Sequence, residues 1–473
     1  MKSSFRLVVR MILLTQLALC LGSRCLARQQ EAGVEFNGPY ASWVSVTTFG
    51  AVGDGIADDT TAIQDALNSM KTGTGENHVI YFPSGTYRIT ETIEFPDRTL
   101  SNGLFGKLII GEEPQTTALL WDGAPGGDMF WLAGHIHTRL ARLTFDGDDS
   151  AGIGLRVERD GYFGLWSTYV QINDCIFRGS DYGIYNTNRS GAHAMDDGYS
   201  ILRCTFEGIT QAGIRIDAGN AYNYWVRHCL FTDCQVGVYN TYGDFYVMQS
   251  RFERTIDTDI RARAHRAGGI RDNVSVDSNQ FLELTSGQYV VKGNRVLDLA
   301  GTIAIDFIPQ YSYTGLMAMD NVFHADHAFD AIQVQNSILS SAPIACIDNT
   351  YADTGTLDIQ TANPLLSGNT SVSAASIDQT IPVLPAHPPV VTRPIIEVIP
   401  GDDVQTKINQ AVTIAQNTPG ERPVVHLAGG TYNINDTITI PANLPIKVVG
   451  DGAKSIMTWN GVRSSVKPLF LLE

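Results

Sequence analysis

INDCIFRGSDYGIYN (172–186) and VRHCLFTDCQVGVYN (226–240) superpose without a gap. LRCTFEGITQAGIRI (202–216) fits between them with one inserted residue, and VMQSRFERTIDTDIR (247–261) follows. Phe177, Phe206, Phe231 and Phe252 therefore recur every 21–29 residues. Each unit holds two short stretches of β-branched and aromatic residues, punctuated by Gly, Asn and Asp, which is the pattern of strands and turns. No sustained 3.6-residue apolar period interrupts them. A unit this short, with no helix, cannot bury its own apolar side. Stacked units bury one continuous core, so the repeat predicts an all-β solenoid.

The phenylalanines are then expected to stack inside. Cys175, Cys204 and Cys229 share one column and are expected as buried thiols, because disulfide geometry is narrow. Farther on, Asn279, Asn321, Asn349 and Asn369 occupy what reads as the same position. Asparagine tolerates left-handed turns and hydrogen-bonds along a stack, so a turn ladder is expected there.

A second, longer repeat brackets the first. Residues 58–96 align with 403–441 at a constant offset, with 14 of 39 positions identical, among them Asp58/Asp403, Ile63/Ile408, Tyr87/Tyr432 and Pro96/Pro441. In the first copy Asp58 reads as the N-cap of a helix over 58–70, whose apolar stripe is Ile63, Ala66, Leu67 and Met70. Such a helix would cover the open end of the solenoid. The expected organisation is a solenoid over 44–380, a Pro-rich extended linker over 381–394, and the start of a second, incomplete copy over 395–473. Seventy-nine residues are too few for a comparable second solenoid, so a fragment or a truncated second domain is expected. At the other end, Lys2, Arg6 and Arg10 precede an apolar run over 11–21, about the length of a signal-peptide core and shorter than the roughly 20 residues of a membrane span. Residues 1–27 are thus expected to be a cleaved signal peptide, and the protein secreted, extracellular or periplasmic, and free of the membrane.

VTTFGAVGDGIADDTTAIQDALNS (46–69) followed by VIYFPSGTYRI (79–89) closely resembles the opening of the pectate-lyase-like superfamily, which includes rhamnogalacturonases, alginate epimerases and phage tail spikes. The tandem arrangement is similar to that of double-β-helix exo-β-1,3-glucanases. The resemblance implies a right-handed parallel β-helix with an N-terminal capping helix, acting on or binding polysaccharide. It names a fold more firmly than an activity. The hallmark site of the polygalacturonases departs here: their paired aspartates would fall on Asp181 and Tyr182, and their Gly-His-Gly near Gln211, Ala212 and Gly213.

A net charge of −16 argues against nucleic acid, whose phosphates require a basic surface. The outward columns carry the chemistry. If Leu155, Ile184, Ile214, Val238 and Ile260 point inward, the next residues, Arg156, Tyr185, Arg215, Tyr239 and Arg261, line one outer face. Two positions farther on come Glu158, Thr187, Asp217, Thr241 and Arg263. Sugar rings stack on tyrosine, and arginine pairs bidentately with uronate carboxylates. Arg263 and His265 extend this basic cluster and are further substrate-binding candidates. Glu158 and Asp217 are the candidate catalytic pair, two rungs and so roughly 9–10 Å apart along the backbone, which approaches the spacing of an inverting glycosidase. Asp181, Asp196 and Asp197 are the reserve carboxylates. No cofactor is called for, although Ca²⁺ would suit the Asp196–Asp197 loop if the chain were a lyase. A glycoside hydrolase, or failing that a lyase, acting on a uronate-containing or β-glucan chain is placed first. A non-catalytic polysaccharide-binding spike, adhesin or surface component stands beside it. The sequence assigns no oligomeric state.

Overall fold

Short strands with bare edges need a neighbour on each side, and the chain supplies one on every turn. The structure is a computed structural model that describes residues 35–70, 78–96, 104–158, 167–187, 197–219, 221–263, 267–310, 314–335, 343–361, 363–461 and 468–472. Its first sheet has 13 parallel strands, from Val44–Ser45 to Leu365–Ser367, each one coil of the chain further on. The second and third sheets are built the same way. One runs through Thr205–Glu207, Leu230–Thr232 and Arg251–Glu253, the other through Ala212–Ile216, Val236–Asn240 and Thr258–Ala262. The long strands Thr144–Glu158 and Ile176–Asn186 bend through a corner and belong to both. The interior is one apolar core, continuous from Val46 to Ile377.

The phenylalanine column forms as expected and begins one rung earlier. Phe145, Phe177, Phe206, Phe231 and Phe252 stack with centroids 4.7–5.1 Å apart. Each ring demands space from the rung before it. A Cβ at Gly183 would lie 2.6 Å from Phe206, one at Gly213 2.8 Å from Phe231, and one at Gly237 2.6 Å from Phe252. The column ends where Ser275 pairs with Phe252, and there the glycine position becomes Asp259. A small residue has replaced the ring, and a larger one has replaced the glycine. Restoring the pair with Asp259→Gly and Ser275→Phe together should give a chain more stable than either single variant. At pH 4, where Asp259 is protonated, the Gly variant alone leaves a void and the Phe variant alone overpacks, at about 1–3 kcal/mol each. Urea denaturation of the three variants measures this; additive losses in the double variant would show that the two positions are not coupled.

All five described cysteines are buried free thiols. Burial pushes the thiols of Cys175 and Cys204 well up, so they stay protonated and unreactive. The turn ladder also exists, with one correction. Its members are Asn273, Asn294, Asn321, Asn349 and Asn369, each donating from Nδ2 to the next Oδ1 at 2.9–3.0 Å. Asn279 lies outside it, in the next turn of its own coil, and donates to the carbonyl of Asp257 one coil earlier. Asparagine takes over the column from Cys229 and Ser250: the Ser250 hydroxyl accepts from the Cys229 amide, and Asn273 Oδ1 accepts from the Ser250 amide.

The cap helix is shorter than expected, Thr60–Asn68, because Asp58 ends a strand and its carboxylate accepts from Thr60 N at 3.1 Å. Ile63, Ala66 and Leu67 face the core as expected. The corresponding helix after the linker is Val404–Asn417, and there Asp403 caps directly, accepting from Thr406 N at 2.6 Å.

The linker is a strap laid back along the solenoid. Arg295 donates to the carbonyls of Asp378 and Thr380, Arg142 to that of Pro388 at 2.7 Å, and Phe36 pairs with Pro389 and Val391. It returns the chain to the end where it began. Beyond it, Ile395–Val398, Val424–Leu427 and Lys447–Gly450 form a parallel sheet with its own small core. The segment 35–43 grips that sheet. Tyr40 stacks on His426 at 3.8 Å, while Ser42 Oγ and Trp43 Nε1 donate to Asp451. His426 is fully buried between Glu397 (2.6 Å) and Asp451 (2.9 Å). Burial opposes its charge, but the two carboxylates outweigh that and raise its pKa.

A candidate polysaccharide site on the third sheet

Strand register determines what stands beside what. It aligns Arg156, Tyr185, Arg215, Tyr239 and Arg261 in one outward column. The column continues beyond the stretch read from sequence, into Trp131 on one side and Glu283, Asp306, Gln333 and Asp358 on the other. A cationic and aromatic half thus meets an acidic half at Arg261.

Within the first half the side chains are not equivalent. Arg156 lies over Trp131 at 4.3 Å and is neutralised by Asp128 (2.6 Å) and Glu158 (2.9 Å). Glu158 is buried, with its other oxygen accepting from Thr187 Oγ1 at 2.7 Å. Asp217 accepts from Arg215 Nε (2.9 Å), Tyr185 OH (2.6 Å) and Thr241 Oγ1. Burial, and then this bond to Asp217, raise the Tyr185 pKa and keep the phenol protonated. Glu158 and Asp217 stand two strands apart, and both oxygens of each are occupied.

Arg215 differs. Its guanidinium carbon lies over the Tyr239 ring, 3.8 Å from the centroid, and Nε is held by Asp217. Among the described residues its two terminal nitrogens make no protein hydrogen bond. They border a depression of about 320 Å³ lined by Tyr182, Thr210, Gln211, Gln235, Tyr239, Asp257 and Arg261, among others. Arg261 is held from two sides, by Asp257 (2.9 Å) and Glu283 (2.9 Å). Arg263 is half exposed, reaches Glu283 at 3.3 Å and lies 5.5 Å from the Tyr239 ring. The result is a fixed cation with its donors turned outward, backed by an aromatic ring and rimmed by amides.

The remaining candidates scatter. Asp181 is exposed at the rim, accepting from Thr210 Oγ1 at 2.5 Å. Asp197 accepts from Asn223 Nδ2 at 2.9 Å, on a bridge row joining Thr168, Asp197 and Tyr222. Asp196 and His265 lie outside the described residues. Among the described residues no three His, Cys, Asp or Glu side chains gather as a cation would need. Sequence reading missed Tyr182, Gln211, Gln235 and Asp257. For the last three the signal was present: SDYG, TQAG, CQVG and IDTD put Asp181, Gln211, Gln235 and Asp257 at the same place in four successive units, with Tyr182 one position on.

Two protein families match the chain. Residues 43–107 match the family described as rhamnogalacturonase A/epimerase, pectate lyase-like, and residues 152–305 match the right handed beta helix region. Plasmin and fibronectin-binding protein A of Streptococcus pneumoniae is 48% identical over 56 residues, 12% of this chain and 8% of that protein. A glucan 1,3-beta-glucosidase of Cochliobolus carbonum is 26% identical over 148 residues, 28% of this chain and 18% of that one. The match thus spans less than a fifth of either relative's length. A tailspike protein variant of E. coli bacteriophage HK620, solved with a pentasaccharide, aligns at 12% identity and TM-score 0.45 over 88% of this chain and 80% of its own. No helix among the described residues is long and apolar enough to cross a membrane. The two family matches, together with the parallel coil of three sheets, show a right-handed parallel β-helix that opens with a pectate lyase-like region over 43–107.

Proposed function

We propose that this chain binds an acidic polysaccharide along its third sheet, and that the depression beside Arg215 and Tyr239 receives a carboxylate-bearing sugar unit. The observation that carries this is the state of Arg215, whose terminal donors are unspent while its Nε and its face are fixed. A pre-set guanidinium binds a carboxylate with little loss of side-chain freedom. The ring of Tyr182 and the amides of Gln211 and Gln235 supply the apolar and hydrogen-bonding contacts a pyranose needs. Glu158 and Asp217, by contrast, act on Arg156, Arg215 and Tyr185 and serve to hold the column in place. The signal sequence expected over residues 1–27 would place this binding outside the cell.

Replacing Arg215 with Ala is expected to weaken binding of an oligogalacturonate about 10- to 100-fold in calorimetry, the worth of a charge-assisted hydrogen-bond pair. The loss should shrink as salt is raised, because screening weakens the wild-type contact first. Unchanged affinity in the variant would rule the depression out as the site. A second reading, hydrolysis, is favoured by Asp257, which lines the same depression, and Glu283, which holds Arg261 from the other side. It requires release of reducing ends from a polysaccharide, lost in both Asp257→Asn and Glu283→Gln.

A further inference from the structure

The first sheet carries an outward feature of its own. On Tyr224–Arg227 and Phe245–Met248, Tyr224, Val226, Phe245 and Val247 are buried, so Trp225 and Tyr246 point out. Register sets them side by side, with Ser200 before and Gly269 after. The two rings stack at 4.2 Å and 15°. A Cβ at Gly269 would stand 3.0 Å from Tyr246, so only glycine leaves the ring its place; on the other side Ser200 is too short to cover an indole.

Two positions along the same strands runs a second outward column, Arg227, Met248, Arg271 and Lys292. Its three cations are exposed. Lys292 faces Asp320 at 3.5 Å. Arg227 and Arg271 make no side-chain hydrogen bond or ion pair among the described residues. In a chain of net charge −16, Arg227, Arg271 and Lys292 outnumber the Asp272 and Asp320 carboxylates beside them and form, next to the aromatic pair, a local patch of opposite sign. Aromatic faces take the C–H side of a sugar ring, and guanidiniums take its carboxylate or sulfate.

We propose that this strip is a second binding surface for an anionic polysaccharide, separate from the depression on the third sheet. It stands on its own residues and does not depend on the reading of Arg215. The test titrates the full chain with an oligogalacturonate, a sulfated galactan oligosaccharide and a neutral β-glucan oligosaccharide, counting sites by calorimetry. With one of the two anionic probes, Trp225→Ala and the double variant Arg227→Gln/Arg271→Gln should each weaken one class of sites about tenfold. Arg215→Ala should leave that class untouched, and Trp225→Tyr should keep it. Which probe responds tells carboxylate from sulfate. These side chains point outward, so the variants should melt with the wild type. Retention of every site in both variants, equal response to the neutral probe, no binding of either anionic probe, or a change in self-association alone overturns the proposal.

Discussion

Asp259 should make the wild-type protein lose stability between about pH 4 and pH 7, and Asp259→Asn should remove that contribution to the slope. Asp259 is wholly buried in the interior of the solenoid, and burial pushes its carboxyl up to about 7. The hydroxyls of Ser275, Thr255 and Ser278 lie near enough to favour the charge in part, yet neither carboxyl oxygen finds a partner of full hydrogen-bond geometry. In the unfolded chain the group returns to its ordinary value near 3.9. Below that value both states hold the proton, and it contributes nothing to the pH dependence. Between about 4 and 7 the unfolded state releases its proton while the folded state keeps it, so rising pH favours unfolding. Above about 7 both states are ionised and the penalty is constant. About three pKa units correspond to about 4 kcal/mol. The Asn variant should therefore match wild type at pH 4 and exceed it by up to about that amount at pH 8, read from denaturant midpoints. Parallel pH profiles for the two proteins would mean that Asp259 ionises as easily folded as unfolded.

The second large effect is expected in the asparagine ladder. Asn321 accepts from both Asn294 N and Asn294 Nδ2, and donates to Val291 O and Asn349 Oδ1. Truncation to Ala strands two buried donors and removes the donor from two buried acceptors. At about 1–3 kcal/mol for each unsatisfied group, a loss of about 4 kcal/mol or more is expected. Asn321→Asp should do no better, since it keeps the acceptor and turns a charge toward carbonyl oxygens. Asn369, the half-exposed last member, bonds to Cys346 O and Asn349 with water at hand, and its Ala variant should cost about 1 kcal/mol. Comparing the two Ala variants by urea denaturation checks the argument; equal losses would mean the ladder is not cooperative.

These two sites mark where the sequence stopped being legible. The rungs were readable while each carried its phenylalanine, up to Phe252. There Ser275 and then Val296 take the ring's place, and the next phenylalanine in the chain, Phe281, belongs to another column. An alignment keyed on rings therefore slips by six residues. That slip put Asn279 in the ladder and hid Asn273 and Asn294. It also hid Glu283 and Asp306, the acidic continuation of the outward column. The column residues themselves were legible, because alternation along a strand sets which side chains share a face. What they do there was not. Pairing of Glu158 with Arg156, and of Asp217 with Tyr185 and Arg215, depends on side-chain reach across rungs, which strand periodicity does not encode.

The strap also sets an order of events. Phe36 bonds to Pro389 and Val391, 353 and 355 positions later, while Trp43 bonds to Asp451 at a separation of 408. During synthesis the solenoid can lengthen rung by rung, since each coil needs only its neighbour. From that growth residues 35–43 gain only part of their contacts, Phe36 under Arg142 and Trp43 against Tyr81. Their hydrogen bonds to the strap and to Asp451, and the stack on His426, form only once the strap has been laid back and those residues have been made. A segment made early is therefore among the last to be fully fastened, and the clasp it forms joins stretches 408 positions apart.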